Sequence, residues 1–524
     1  MKALPVLAAA VVGGVVTSHG GVTNVTAGGP VYGTITQAVA AAGASARLLV
    51  STGLYREAVV ISAKTLVIEG GYFATFAGRT NNNAWTAVTP PAASSVLTMR
   101  NGAGVTLDGL LLTGGVALAG GGMSVEAGCV LTALNCTVAQ NVALGGGGIY
   151  ADSNSVVVIS NSAVASNHAL WYGGGVMAYN TARVVVRGPE AWIVGNDALE
   201  GAGVYAERRV GLTIEGGAQV FANIAARRGG GIVVADKSHA LIREGDTKVG
   251  GFFIFYNQVT NGDGGGIYAV NASVIESGEN CRVAQNGVVG NGGGVWMSNS
   301  TLQVVDGAAI GGAGLVNVAL QDGGGVHMQH STLLLSNGAA ICNSSAATNG
   351  GGIMAYESVI IGVDQAAIGE SGGVAGNQAY NGAGMFLVSS SAMFVRARLS
   401  GNTAANAGGG IAAVGTSDLA CTETSIAGNM ATNYGGCVFS GMNGGGCAGM
   451  AGGGAGAGVS GSGMEKRDIE SNESGWDEGV VKDKSGDAAG SAVAGSAAGC
   501  DGAGVAIADR AGERCGVCGG CDAG

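Results

Sequence analysis

A group of glycines followed by an apolar residue recurs through most of the chain. It stands at Gly120-Gly121-Gly122, Gly146-Gly147-Gly148, Gly173-Gly174-Gly175, Gly201-Ala202-Gly203, Gly229-Gly230-Gly231 and Gly264-Gly265-Gly266. It continues at Gly292-Gly293-Gly294, Gly323-Gly324-Gly325, Gly350-Gly351-Gly352, Gly382-Ala383-Gly384, Gly408-Gly409-Gly410 and Gly435-Gly436-Cys437. The intervals are 26, 27, 28, 28, 35, 28, 31, 27, 32, 26 and 27 residues, and Met, Ile or Val follows each group. Self-similarity at a near-constant interval marks a repeat architecture, in which each unit buries its apolar face only against its neighbours.

A second element keeps the same interval. An Asn falls five to seven residues before every glycine group but the first, at Asn141, Asn167, Asn196, Asn223, Asn257, Asn286, Asn317, Asn343, Asn377, Asn402 and Asn429. In nine of these eleven, Val, Ile or Leu stands three residues earlier; Asn317 and Asn343 are the exceptions. Between the glycine groups, runs such as Ser155-Val-Val-Val-Ile-Ser160 and Ser331-Thr-Leu-Leu-Leu-Ser336 alternate with the period of a strand. The expected fold is all-β: a parallel β-helix of about three short strands per coil, hence triangular. Coils about 4.8 Å apart would stack equivalent residues, so that Asn forms an amide ladder and Gly permits positive φ and close backbone approach.

Composition fits a solenoid with short turns. Of 524 residues, 102 are Gly and only 5 are Pro; 47% are apolar and 11% charged, about half the usual charged share. The net charge of −11 excludes the basic stripe of a nucleic-acid binder. Residues 1–18 read as a signal peptide: Lys2, an apolar run over 3–16, then Thr17-Ser18. Beyond it no run of 18 apolar residues predicts a membrane helix. Residues 19–119 read as an N-terminal cap and first coils, with a short helix at 34–42, strands at 47–51, 58–62, 65–69, 95–99 and 105–112, and an inserted loop at 72–94. Residues 120–440 carry the repeats. Residues 441–524 are rich in Gly and Ala, hold twelve acidic and six basic side chains, lack a strand period, and are expected to be disordered. A shifted reading frame would produce such a break, and the other two frames of the coding DNA decide that.

The opening resembles the start of pectate-lyase-like β-helix proteins: helix, strand, then Gly53-x-Tyr55-x-Glu57-x-Val59. The repeats resemble those of the polymorphic outer-membrane proteins of chlamydiae and related bacterial surface proteins. Those carry Gly-Gly-Ala-Ile and Phe-x-x-Asn, where this chain has Gly-Gly-Gly-Ile/Val and aliphatic-x-x-Asn. The resemblance covers about residues 30–440. It implies a right-handed β-helix at the cell surface or outside the cell. Those proteins also resemble autotransporters, which end in a β-barrel; fewer than 90 residues follow the last repeat here and they do not alternate, so self-export is not expected.

Pectin-degrading relatives cluster Asp residues on adjacent coils. Here Asp108, Asp152, Asp197, Asp236, Asp263, Asp306, Asp322, Asp364 and Asp418 are isolated in sequence, and no catalytic set stands out. The densest polar stretch, Asp236-Lys237-Ser238-His239 to Arg243-Glu244-x-Asp246-x-Lys248, lies one coil beyond Arg227-Arg228; a solvated loop is favoured over an acid–base site there. No Gly-Lys-Ser/Thr loop and no tandem Gly-Gly-x-Gly-x-Asp frame occurs, so no cofactor or metal is expected. Six cysteines are scattered through the body; Cys129 and Cys136 suit either buried apolar packing or a disulfide. Cys515-x-x-Cys518-x-x-Cys521 lacks a fourth metal ligand nearby.

One column of residues is the candidate site. The residue after each Gly-Gly-Gly-Ile/Val should point outward, because strand faces alternate. That column includes Tyr150, Tyr205, Tyr268, Trp296, His327, Phe386 and Phe439, with aromatics at six of its twelve positions against 5% for the chain. Such rings can stack on a sugar chain or a partner protein, or simply on each other. The function expected is that of an exported, adhesin-like scaffold on the bacterial outer surface, binding polysaccharide or a host or cell-surface protein. The alternative is a polysaccharide lyase or glycoside hydrolase.

Overall fold

A computed structural model describes residues 21–24, 30–80, 86–244 and 253–440. The expected leader, and the region after 440, lie outside the described residues. Short strands follow one another around each coil, and each pairs in parallel with its equivalent one coil on. In chain order around a coil they form sheet 1 (sixteen strands), sheet 2 (fourteen), sheet 3 (twelve) and sheet 4 (fourteen). One coil runs through Val130–Leu134 in sheet 1, Thr137–Ala139 in sheet 2, Val142–Gly145 in sheet 3 and Ile149–Ala151 in sheet 4.

A coil therefore has four strands, not the three of a triangle. The strand without a sequence signature is that of sheet 3. It fills the few residues between the Asn and the glycines, and its inward residues are small: Ala169, Ala198 and Ala225 form a minor core of their own. The main core runs the length of the solenoid from residues stacked coil upon coil, such as Leu131, Val157, Val184 and Leu212 on sheet 1.

Three kinds of corner hold the coils in register. Between sheets 2 and 3 the buried Asn residues form the expected ladder. Asn196 donates its backbone N–H and its Nδ2 to Asn223 Oδ1, both at 3.0 Å. Asn223 in turn donates Nδ2 to the Ile193 carbonyl and to Asn257 Oδ1, again at 3.0 Å. One rung differs from the sequence reading. Ser344, not Asn343, occupies it, accepting no amide but donating its N–H to Asn377 Oδ1 at 3.1 Å. Asn343 sits at positive φ and reaches the Gly312 carbonyl. Ile341, three residues before Ser344, keeps the aliphatic spacing. The intervals of 31 and 32 residues have a cause too: tight turns closed by Gly312 with Leu315 and Ser371 with Val374 are inserted before this corner.

At the corner between sheets 3 and 4, the three glycines divide the work. The first takes a left-handed φ, +64° at Gly146 and +73° at Gly264. The others admit the neighbouring coil: a Cβ on Gly147 would lie 2.4 Å from the His168 carbonyl oxygen, and one on Gly148 2.6 Å from that of Gly175. Corner N–H groups donate to carbonyls of the following coil, as Gly146 does to Tyr172, Gly147 to Gly173 and Gly148 to Gly174. The corner between sheets 4 and 1 carries a serine ladder in the later coils. Ser300 donates its N–H to Ser331 Oγ, Ser331 to Ser358, Ser358 to Ser390 and Ser390 to Ser417, at 3.1–3.2 Å.

The N-terminal end is closed by helix α1 (Ile35–Ala41) and by Val22–Asn24, which pairs antiparallel on the edge of sheet 1. Thr34 caps the helix, and the buried Glu57 accepts from the Ile35 and Thr36 N–H groups at 2.8 and 2.7 Å. Lys64 caps the other end through the Val39 and Ala42 carbonyls. The Gly53-x-Tyr55-x-Glu57 pattern is thus a cap-fixing element, with Tyr55 bonded to the Gly21 and Ser51 carbonyls. The segment 72–94 is not one inserted loop: Thr86–Thr89 is a strand of sheet 2. Cys129 and Cys136 are buried free thiols, not a disulfide.

Candidate functional site

Pairing register places the seven singled-out residues in one column on sheet 4. Tyr150 pairs with Met177, which pairs with Tyr205, then Val233, Tyr268, Trp296, His327, Met354, Phe386, Ala412 and Phe439. Only Tyr268, Trp296 and His327 are consecutive. The column faces away from the core, but it is not freely exposed: Tyr205, Tyr268 and His327 are 7%, 8% and 5% accessible.

The glycine corner explains this burial. It brings sheet 4 near sheet 3 on the outer side, so sheet 3 strand ends at Tyr172 and Arg228 lie against the column. The Tyr172 and Tyr205 rings approach to 4.6 Å, and the Arg228 guanidinium sits 5.3 Å above the Tyr268 ring. Along the axis the rings stack on one another. Tyr268 and Trp296 are 4.4 Å apart and 3° from parallel; Trp296 and His327 are 6.2 Å apart and 4° from parallel. Their faces are therefore turned to each other, and only thin edges of the stack reach outward, Trp296 being the most accessible of the three.

Across the corner runs a polar row that the sequence reading missed. Asn291 donates its N–H and Nδ2 to Asp263 Oδ1 at 2.8 and 3.0 Å, and Asp322 donates its N–H to Asn291 Oδ1 at 3.1 Å. Asn349 N–H and the Thr348 hydroxyl donate to Asp322, and Asn381 Nδ2 donates to Asn349 Oδ1. The signal was an Asp or Asn immediately before the glycine group in these coils. Burial pushes the Tyr205 and Tyr268 hydroxyls up. It pushes the His327 imidazole down, against the opposing pull of Asp322 and Asp263. His327 Nδ1 is buried with no hydrogen-bond partner among the described residues.

The remaining acidic candidates are dispersed. Asp108 is held by Arg79 at 2.6 Å, Asp364 pairs with Arg396, and Asp197 with His168. The polar stretch around Asp236 is spread over separate faces: Arg243 pairs with Glu215 on sheet 1, while Arg228 lies near Glu200 at the end of sheet 3. Asp246 and Lys248 lie outside the described residues. Among the described residues no group of three His, Cys, Asp or Glu could hold a metal ion, and no helix is long and apolar enough to cross a membrane.

Residues 95–273 match the family model of the right handed beta helix region. The fold is a right-handed parallel β-helix. No curated protein and no solved structure matches the chain. One further residue of this β-helix was missed by the sequence reading. Glu276 points into the core at a position that is Ile242 in the coil before and Val304 in the coil after. Its Oε1 has no partner among the described residues, and burial pushes its carboxyl up to about 8. The alternation in Ser273–Ser277 already put Val274 and Glu276 on one face.

Proposed function

We propose that this β-helix is an exported, adhesin-like binding scaffold whose ligand lies along the corner between sheets 3 and 4. The observation that carries the reading is the pairing of two register-locked walls. The stacked rings of Tyr268, Trp296 and His327 run beside the Asp263–Asn291–Asp322–Asn349 row, near enough for Asp263 and Asp322 to act on His327, and both rows repeat once per coil, about every 4.8 Å. An extended glycan chain offers hydroxyl groups once per sugar at a comparable repeat, whereas a peptide strand rises only about 3.3 Å per residue and would not keep step with the coils. Repetition of one weak contact over several coils then supplies affinity without a deep cavity. Export is supported by the basic residue and apolar run at the N-terminus.

Replacing Tyr268 and Trp296 with Ser in the full chain, and measuring binding to a glycan array and to cell surfaces, tests this. A loss of at least tenfold with an unchanged circular dichroism spectrum is expected. Binding that survives the double substitution removes the corner as the site.

A further inference from the structure

The large exposed apolar side chains are concentrated on one face. Sheet 3 and its immediate flanks carry Val116, Leu118, Leu170, Trp171, Leu320 and Met430, among others, with Leu118 78% and Met430 65% accessible. Among the described residues sheet 2 presents no large apolar side chain so exposed, and sheets 1 and 4 present a few. The sheet 3 residues follow from register. The outward column runs Val116, Val142, His168, Asp197, Ile224, Gln258 and onward to Met430 at the last strand. Exposed apolar side chains thus recur from the first strand of this face to the last, interspersed with polar ones such as Gln258, Gln378 and Thr403, and a patch of that extent is more than an isolated monomer ordinarily exposes.

Size and charge point to the occupant. Twelve strands at about 4.8 Å give a face about 55 Å long, and strands of about four residues make it about 13 Å wide. That is about 700 Å² per copy, close to the roughly 800 Å² per partner that a stable association buries. The charged side chains exposed on the face are few and confined to its third to fifth strands: His168 and Asp197, which pair with each other, and Arg227 and Arg228. A two-fold axis perpendicular to the solenoid sets those strands opposite the tenth to eighth, where Gln378, Ser345 and Val318 carry no charge. An anionic membrane is disfavoured by the net charge of −11.

We propose that the outer face of sheet 3 is a homodimer interface, on which a second copy of this chain packs antiparallel across a two-fold axis. The face adjoins the binding corner and shares Arg228 with it, but the substitutions that test it avoid Tyr268 and Trp296, and mass and ligand binding are read separately. Sedimentation velocity of the full chain at about 10 μM is expected to give twice the chain mass of 50.7 kDa. The pair Leu118→Glu and Leu320→Glu, both at exposed positions, should shift it to monomer with unchanged circular dichroism, while Met393→Glu on sheet 1 should leave the dimer intact. Gln258→Cys, near the axis, should crosslink to its own mate above the wild-type background; Val116→Cys should crosslink with Met430→Cys of the second copy and not with itself. A monomeric wild type, or a dimer indifferent to the sheet 3 pair, overturns the interface; self-crosslinking through Val116→Cys overturns the antiparallel arrangement.

Discussion

The asparagine corner and the coil around Glu276 both bury polar groups, with opposite consequences. In the corner each side chain stands beside its own kind one coil away, and donors and acceptors interlock: Asn223 Oδ1 takes two donors from Asn196, and its Nδ2 gives two bonds of its own. Glu276 stands between Ile242 and Val304 and finds no such neighbour, so one carboxyl oxygen is left unmatched. A solenoid makes polar burial favourable when the residue repeats with the coil and costly when it stands alone.

Three substitutions test that contrast by denaturant unfolding of the full chain. The largest effect is expected for Asn223→Ala. It strands the buried Asn196 N–H and Ile193 carbonyl, a loss of about 3–5 kcal/mol, and in a one-dimensional stack it should split the transition by uncoupling the coils on either side. Glu276→Leu comes next, with the opposite sign. The Glu276 carboxyl is held up near 8 in the fold and near 4.3 in the unfolded chain. Between those values the folded state binds more protons, so wild-type stability should fall as pH rises through the window, by about 1 kcal/mol per unit, and level off above it. Leu should flatten that slope and add about 2–3 kcal/mol at pH 8. A wild-type curve level from pH 5 to 8 contradicts this account. Ser331→Ala is the smallest, about 1 kcal/mol, because it removes one accepted bond from Ser300 and one donated to Gln329.

What was legible in the sequence was whatever repeats. The glycine groups and the Asn fixed the phase of every coil, and with it the column holding Tyr268, Trp296 and His327. Features set by the angle between neighbouring sheets were not legible. Nothing local announces that the glycine corner brings sheet 3 strand ends against the column, so the burial of Tyr205 and Tyr268 on an outward face could not be foreseen. The strands of sheet 3 turn small residues such as Ala169, Ala198 and Ala225 inward, so no large aliphatic marks them. Ser344 rather than Asn343 takes the ladder position because it keeps the three-residue spacing from Ile341, while Asn343 reaches the Gly312 carbonyl; the Asn pattern alone does not show it. The serine ladder and the Asp263–Asn291–Asp322 row do repeat. They were overlooked because neither residue type recurs in every coil.

The glycine corner has one more property. In a flat parallel sheet successive peptides point to opposite neighbours, and their dipoles largely cancel. In the corner, the N–H groups of Gly146, Gly147 and Gly148, and of their counterparts in coil after coil, all point toward the later coil. Three or four rows of peptide units are therefore aligned head to tail along the axis, the arrangement that gives an α-helix its macrodipole. An all-β protein thus carries a helix-like polarity in one edge, with its N–H ends directed toward the last described coil and its carbonyl ends toward the first. An anion is favoured at one end of that edge and a cation at the other, and chain direction alone sets which is which.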